Sequence, residues 1–436
     1  TSSLVISGAS SLGGSVTTTS TQTYTGAATL SAATVTLTTT NANVSFGTTV
    51  DSDSGQTRNL TINTSGTTGT VQFGGLVGDT DGLSAITITG KLDLNANIVD
   101  AASLSVSGTS DLGANVTTTG TQTYTGAVTL SDDITLTTTN NNVTFSGTVD
   151  SDAIGTKRDL TLTLGSGSAT FSDVVGGTSL ADITLNSSAT FAAAVTADNF
   201  TIAASKTATV TDDVTIASTI ALRGSSTLAV LNASSMTIAG TITDTGTGNT
   251  ISVNDSTASA APDEVTFSGT VAADTLTIGS STTAGKAKFT GSGGVTITNI
   301  TITGGNHADE DSTGTFNYAL TSTAITLDDN TGDSYLVFAE NNSVTIAGTI
   351  DGGANNEGTL QITGTLKTFS SAVGATYYIK LLDIDANVTF DGNITTYQLS
   401  LSANIIDSGD VTIKGTSTID TDVISQGPQI YDGDVI

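Results

Sequence analysis

The chain has 436 residues, with 40 acidic against 11 basic side chains, a net charge of −29, no cysteine, no tryptophan and a single histidine, His307. That balance excludes nucleic acid as a partner, because binding it takes a concentrated cationic surface. The missing cysteines exclude disulfides, thiolate metal sites and a cysteine nucleophile.

No apolar run approaches the roughly 18 residues of a transmembrane helix, so no membrane insertion is expected. Val, Ile and Thr abound and proline occurs twice, at Pro262 and Pro428, a composition of ordered β-structure rather than disorder.

Short apolar–polar–apolar triplets appear from the start and run to the end. In chain order they include Val35-Thr36-Leu37, Leu60-Thr61-Ile62, Ile86-Thr87-Ile88, Leu104-Ser105-Val106, Leu160-Thr161-Leu162, Val214-Thr215-Ile216, Leu276-Thr277-Ile278 and Val295-Thr296-Ile297. Period-two alternation puts the aliphatic pair inward and the hydroxyl outward on a strand. No apolar stripe of helical period is sustained anywhere.

A slightly longer motif adds a corner. Val44–Val50, Val143–Val149 and Val265–Val271 form one set; Met236–Ile242, Val344–Ile350 and Val388–Ile394 form another. Each reads apolar–Thr/Ser–apolar, then small and Gly, then polar and aliphatic. Glycine supplies the backbone angles of a sharp bend between two strands.

A long repeat lies above these motifs. Thr21-Gln22-Thr23-Tyr24-Thr25-Gly26-Ala27 returns unchanged as Thr121-Gln122-Thr123-Tyr124-Thr125-Gly126-Ala127, an offset of 100 residues. Arg58-Asn59-Leu60-Thr61 returns as Arg158-Asp159-Leu160-Thr161. Ala96–Asp100 and Gln122–Gly126 return as Ala403–Asp407 and Gln429–Gly433, both 307 residues on. The chain therefore reads as one continuous β-solenoid over 1–436, a fragment of a longer array. Its repeat units are about 1–100 and 101–200, with degenerate repeats over 201–400 and a new copy beginning at 401–436.

Fold class follows from how much each fold needs to fill. Hydrophobic residues are 36% and aromatics 5%, too few for a wide core but enough for a narrow one lined by one or two aliphatics per strand. The expectation is an all-β, parallel β-helix with about 20–25 residues per coil, and hence a rod on the order of 90–100 Å at roughly 4.8 Å per coil. The alternative is a string of tandem β-sandwich domains of the immunoglobulin type, about 100 residues each.

The segment from Thr121 to Leu130, followed by Ile134-Thr135-Leu136-Thr137-Thr138-Thr139-Asn140 and Val143-Thr144-Phe145-Ser146-Gly147, resembles the repeats of large bacterial surface exoproteins. These are the filamentous-haemagglutinin-like and autotransporter-passenger proteins. The resemblance covers residues 1–190 and 400–436, and reaches the middle through the short motif. It implies a right-handed parallel β-helix, secreted or at the cell surface, acting in adhesion or in building a surface layer or filament. Expected partners are neighbouring copies or flanking repeats end to end, and host or cell-surface ligands.

Candidate chemistry is sparse. Asp51, Asp53, Asp79, Asp81, Asp328 and Asp329 place carboxylates in apparent loops, as does Asp309-Glu310-Asp311. Hard oxygen ligands suit Ca²⁺, but no EF-hand or glycine-rich calcium repeat is present, and solvated turn carboxylates are the favoured reading. Calcium apart, no cofactor is implied.

Asp383 and Asp385 are a carboxylate pair of the kind glycosidases use. With no tryptophan and few cations, no enzymatic activity is expected, and His307 reads as an exposed loop residue. Tyr24, Tyr124 and Tyr431 occupy equivalent repeat positions, which points to packing. Tyr377-Tyr378 stands in the least repetitive stretch, as core or as a contact surface. Asn59, Asn115, Asn142 and Asn387 begin glycosylation sequons.

Overall fold

The computed structural model describes residues 2–65, 68–232, 234–255, 262–365 and 367–436. Among them there is no helix; parallel strands stack into a β-solenoid of about 19 turns. Each strand pairs with one a single coil away, for example Gln22–Tyr24 with Val44–Phe46. Sandwich domains are built from antiparallel sheets, so the tandem-sandwich alternative falls. The residues cluster into two compact units, 1–208 and 209–436.

The first unit has three faces, taken in strict rotation by the chain. Leu4–Ile6, Gln22–Tyr24, Val44–Phe46, Thr70–Phe73, Lys91–Leu94, Ser110–Leu112 and Val128–Leu130 line the first face. Ser10–Leu12, Ala28–Leu30 and Val50–Ser52 open the second, which continues through single bridging residues Val77 and Ile98 to Val116–Thr118 and Ile134–Thr138. Val16–Thr17, Thr34–Thr38, Arg58–Asn63, Leu83–Thr89, Ala101–Val106, Gln122–Tyr124 and Val143–Phe145 belong to the third. The alternation of each triplet dictates this: Leu60, Ile62, Ile86, Ile88, Leu104 and Val106 are buried in register, while the Thr and Ser between them point outward.

Coil length varies from 17 residues, Leu382 to Leu399, to 29, Ile242 to Val271, a wider range than the sequence suggested. The difference is taken up in corner loops and in register shifts within some strand pairs, as between Leu83 and Ile86 and between Val175 and Leu180.

The core admits little more than one large ring per coil. Tyr24, Phe46 and Phe73 stack at 5.1 and 5.4 Å. Tyr124, Phe145, Phe171 and Phe191 stack at 5.2, 4.7 and 4.6 Å. These spacings match the inter-strand distance, so aromatic ladders follow directly from in-register coils. A ladder ends where the next ring enters from another face: Phe191 meets Phe200 edge-on at 86°. In the second unit, Phe267, Phe289 and Phe316 stack at 4.8 and 4.7 Å. There Phe338 meets Phe369 edge-on at 85°.

The second unit also fuses strands that the sequence reads as separate. Met236–Thr245 and Val344–Gly352 each run unbroken through the glycine of the short motif. Gly240 has φ 117° and Gly348 φ 113°, open only to glycine. A Cβ at Gly240 would also lie 2.7 Å from the Ile216 carbonyl oxygen of the coil below.

Candidate functional site

The polar chemistry of this molecule sits at its corners, and most of it is turned toward the backbone. A coil that turns a corner leaves N–H groups without ladder partners, and short polar side chains of the neighbouring coil take them. Asn97 Oδ1 accepts from the Asn115 N–H at 3.0 Å, and Asn115 Oδ1 from Thr135 at 2.7 Å. Asp133 accepts from the Asp159 N–H and Asp159 from Asp182, both at 3.0 Å. Burial, then the charges of Asp133 and Asp182, raise the Asp159 carboxyl above its ordinary pKa.

Among the sequence-predicted acids, Asp51 and Asp81 fit this scheme. The structure brings the Asp51–Asp53 and Asp79–Asp81 loops together: Asp51 Oδ1 accepts from the Thr80 N–H at 3.1 Å and Asp81 Oδ1 from Gly55 at 2.9 Å. Asp79 is exposed on the second loop. Asp53 is held bidentately by Arg58 at 2.5 and 2.9 Å, which keeps its carboxyl below the usual range. The repeat reproduces the pair as Arg158 and Asp152, at 2.9 and 3.1 Å.

Asp329 Oδ1 accepts from the Ser334 N–H and hydroxyl, both at 2.7 Å. Asp328, at the end of strand Leu320–Asp328, is raised by burial and then by Asp329. Glu357 is raised by burial, with Asp328 and Asp329 adding to the shift. Asp311 caps the Asp333 N–H at 2.8 Å. Among the described residues no three His, Asp or Glu side chains are grouped so as to hold a metal ion.

Asp383 accepts from Gln361 Nε2 at 3.2 Å, and Asp385 lies beyond the end of strand Ile379–Ile384. His307 is exposed. The sequon residues are themselves caps: besides Asn115, Asn59 takes the Ala85 N–H at 3.1 Å, Asn142 that of Ser168 at 3.0 Å and Asn387 that of Asn404 at 3.0 Å.

The recurring Gln-x-Tyr segment forms a buried latch. Gln122 Nε2 donates to the Val116 carbonyl at 3.2 Å, the Thr137 carbonyl at 3.0 Å and Thr118 Oγ1 at 3.3 Å, while Tyr124 donates its hydroxyl to Gln122 Oε1 at 3.2 Å. Gln22 and Tyr24 repeat the set at 3.1, 2.9, 3.3 and 3.0 Å. Burial pushes the Tyr24 phenol up to about 12 and raises that of Tyr124 as well. A third copy is recognisable at Gln429 and Tyr431, joined at 3.0 Å in a more exposed setting.

Lys367 was not singled out from sequence. It is 1% exposed and stands in the first, normally aliphatic, position of a Lys367-Thr368-Phe369 triplet. Its ammonium donates to the carbonyls of Glu340 at 2.6 Å, Asn342 at 2.8 Å and Thr365 at 3.3 Å, and to Asn342 Oδ1 at 3.0 Å. The signal was present: a lysine in a slot that elsewhere holds Val or, in the latch, Gln.

Together these groups stitch coil to coil. No helix among the described residues is long and apolar enough to cross a membrane. Comparison with known proteins finds no family model, no curated protein and no solved structure that matches the chain.

Proposed function

We propose that the chain is a non-catalytic structural and adhesive element of a bacterial cell-surface exoprotein of the filamentous-haemagglutinin-like or autotransporter-passenger kind, working outside the cell as a spacer that displays binding surfaces. The observation that carries this reading is the use of polar chemistry for repetition. The same glutamine–tyrosine latch recurs at Gln22, Gln122 and Gln429, and corner carboxylates cap neighbouring coils. Side chains spent this way extend and stiffen a scaffold. Backbone pairing from coil to coil is also the means by which flanking repeats would continue it.

Immunogold electron microscopy of intact source cells, paired with surface proteolysis, tests the proposal. Label on fibres outside the envelope, removed by protease, supports it. Label confined to the cell interior overturns it, and an ordered lattice would replace the adhesive role with that of a surface-layer subunit.

A further inference from the structure

One edge of the second unit carries a group of tyrosines. Four of the chain's eight tyrosines, Tyr335, Tyr377, Tyr378 and Tyr397, fall within four successive coils there, those whose strands pair as Tyr335 with Thr359, Thr359 with Leu381 and Leu381 with Gln398. The rings of Tyr378 and Tyr397 stack with centroids 6.4 Å apart and planes 19° from parallel. This stack is on the outside: Tyr397 is 38% exposed and Tyr378 half-buried, and Tyr377 beside them is 45% exposed, whereas the core ladders are closed to solvent.

In the next coil stands Gly415, where a Cβ would lie 2.9 Å from Tyr397 Cε1 and 3.0 Å from Cζ. The Tyr397 ring therefore sits close against backbone that carries no side chain. Any larger residue at 415 would lift it away.

Fixed polar groups flank the rings. Lys380, in register with Tyr397, reaches Asp333 Oδ1 at 2.6 Å and Asp329 Oδ2 at 3.7 Å. Tyr335 donates its hydroxyl to Asp333 Oδ2 at 3.4 Å, and Gln398 is exposed beside Tyr397.

We propose that this edge is a binding platform for a neutral polysaccharide. A pyranose ring has an apolar face of C–H groups that packs on an aromatic ring, and a rim of hydroxyls that needs donors and acceptors held in place. Tyrosine suits such a surface because its ring is apolar and its tip polar. Charge selects among glycans. Lys380 is neutralised by two aspartates and the chain carries −29, so polyanions, acidic polysaccharides and nucleic acid included, are repelled. The inference stands on this patch and holds wherever in or on the cell the solenoid works.

Affinity electrophoresis of the full chain tests it, in gels containing a linear β-glucan, a galactomannan or soluble chitin oligosaccharides, with polygalacturonate and heparin as acidic counterparts. Retardation by at least one neutral polymer is expected, weakened tenfold or more by Tyr397→Ala and largely kept by Tyr397→Phe. Ile154→Ser, at an exposed site in the first unit, should bind as the parent does. Circular dichroism of Tyr397→Ala should match the parent, since the ring is not part of the core. Binding to none of the neutral polymers, binding only to the acidic ones, or binding that survives Tyr397→Ala overturns the proposal. So does a Tyr397-dependent dimer in sedimentation without glycan binding, which would make the patch a self-association surface.

Discussion

Tyr24 and Tyr124 have the same surroundings on different faces of the solenoid. Each donates to the glutamine two residues before it, and each begins a ladder of phenylalanines. Tyr24 lies on the face that continues through Phe46 and Phe73, and Tyr124 on the face that runs through Val106, Ile88 and Ile62. The 100 residues between them cover fourteen faces of a three-faced coil, four turns and two faces. What the sequence repeats is a run of strands and corners, which the fold lays down rotated by one face.

The latch should be worth the same in both places. Gln122→Leu takes a side-chain donor from two carbonyls and the acceptor from the buried Tyr124 hydroxyl, a loss of roughly 2–4 kcal/mol. Gln22→Leu should match it, while Gln429→Leu in its exposed setting should cost under about 1 kcal/mol. Solenoids open locally, so hydrogen exchange in the affected coils is the appropriate measurement.

Phe145 is stacked on both sides, at 5.2 Å from Tyr124 and 4.7 Å from Phe171. Phe145→Ala should cost about 3–5 kcal/mol by opening a cavity in a core one ring wide. Phe145→Leu should recover most of this, as read from urea midpoints.

Ser10, Ser110 and Ser417 occupy one repeat position, and the buried hydroxyl of each has no hydrogen-bond partner. Removing an orphaned buried polar group relieves its desolvation, so Ser110→Ala should be neutral or stabilise by up to about 1 kcal/mol. A lower thermal midpoint in the alanine variant would show that the hydroxyl has a role in the core.

Lys367→Met removes the ammonium from four acceptors, of which the Glu340 carbonyl keeps the Asn342 N–H, and should destabilise its coils by roughly 2–4 kcal/mol. Lys367→Gln should lose less, because Gln22 and Gln122 satisfy corner carbonyls from the first position of the corresponding triplet. Exchange protection around residues 340–342 would report the difference.

Mild acid should stabilise the protein. Burial raises the carboxyls of Asp159, Asp244, Asp328 and Glu357, so the folded state takes up protons before the unfolded chain does. Stability is gained as pH falls through those raised values and is complete below about 4, where unfolded carboxylates titrate. Asp53 and Asp152, lowered by their arginines, oppose this: their contribution is present above about 4 and lost as pH falls through the lowered values. The denaturation midpoint should rise as pH falls from 8 toward about 4 and decline in stronger acid.

Much of the fold was legible in the sequence because it is written in short words. Val44-Ser45-Phe46 and Leu60-Thr61-Ile62 state which side chains turn inward, and a low aromatic content states how narrow the interior must be. The coil period was less legible. Residues are added at corners and at local register shifts, so 17-residue and 29-residue coils both stack and no fixed spacing marks a turn. The acidic loops were legible as places but not as roles. Asp51 and Asp81 were visible as loop acids, yet that each closes a neighbouring coil's N–H depends on which loops become adjacent, and this follows only once the coil lengths are known. Lys367 shows the reverse: its place in a triplet was readable, and the carbonyl cage that makes a buried ammonium tolerable was not.

The one-face offset between copies bears on how such a protein avoids confusing its own parts. Near-identical segments placed directly above one another could exchange partners during folding, each strand accepting its duplicate's neighbour. With Tyr24 and Tyr124 a third of a turn out of phase, a slipped segment would present the wrong wall to the growing end and fail to seat. Lengthening by whole units of this kind would turn the surface pattern step by step, restoring it after three copies and fourteen turns, so that duplication alone would spread one set of side chains around every side of the molecule.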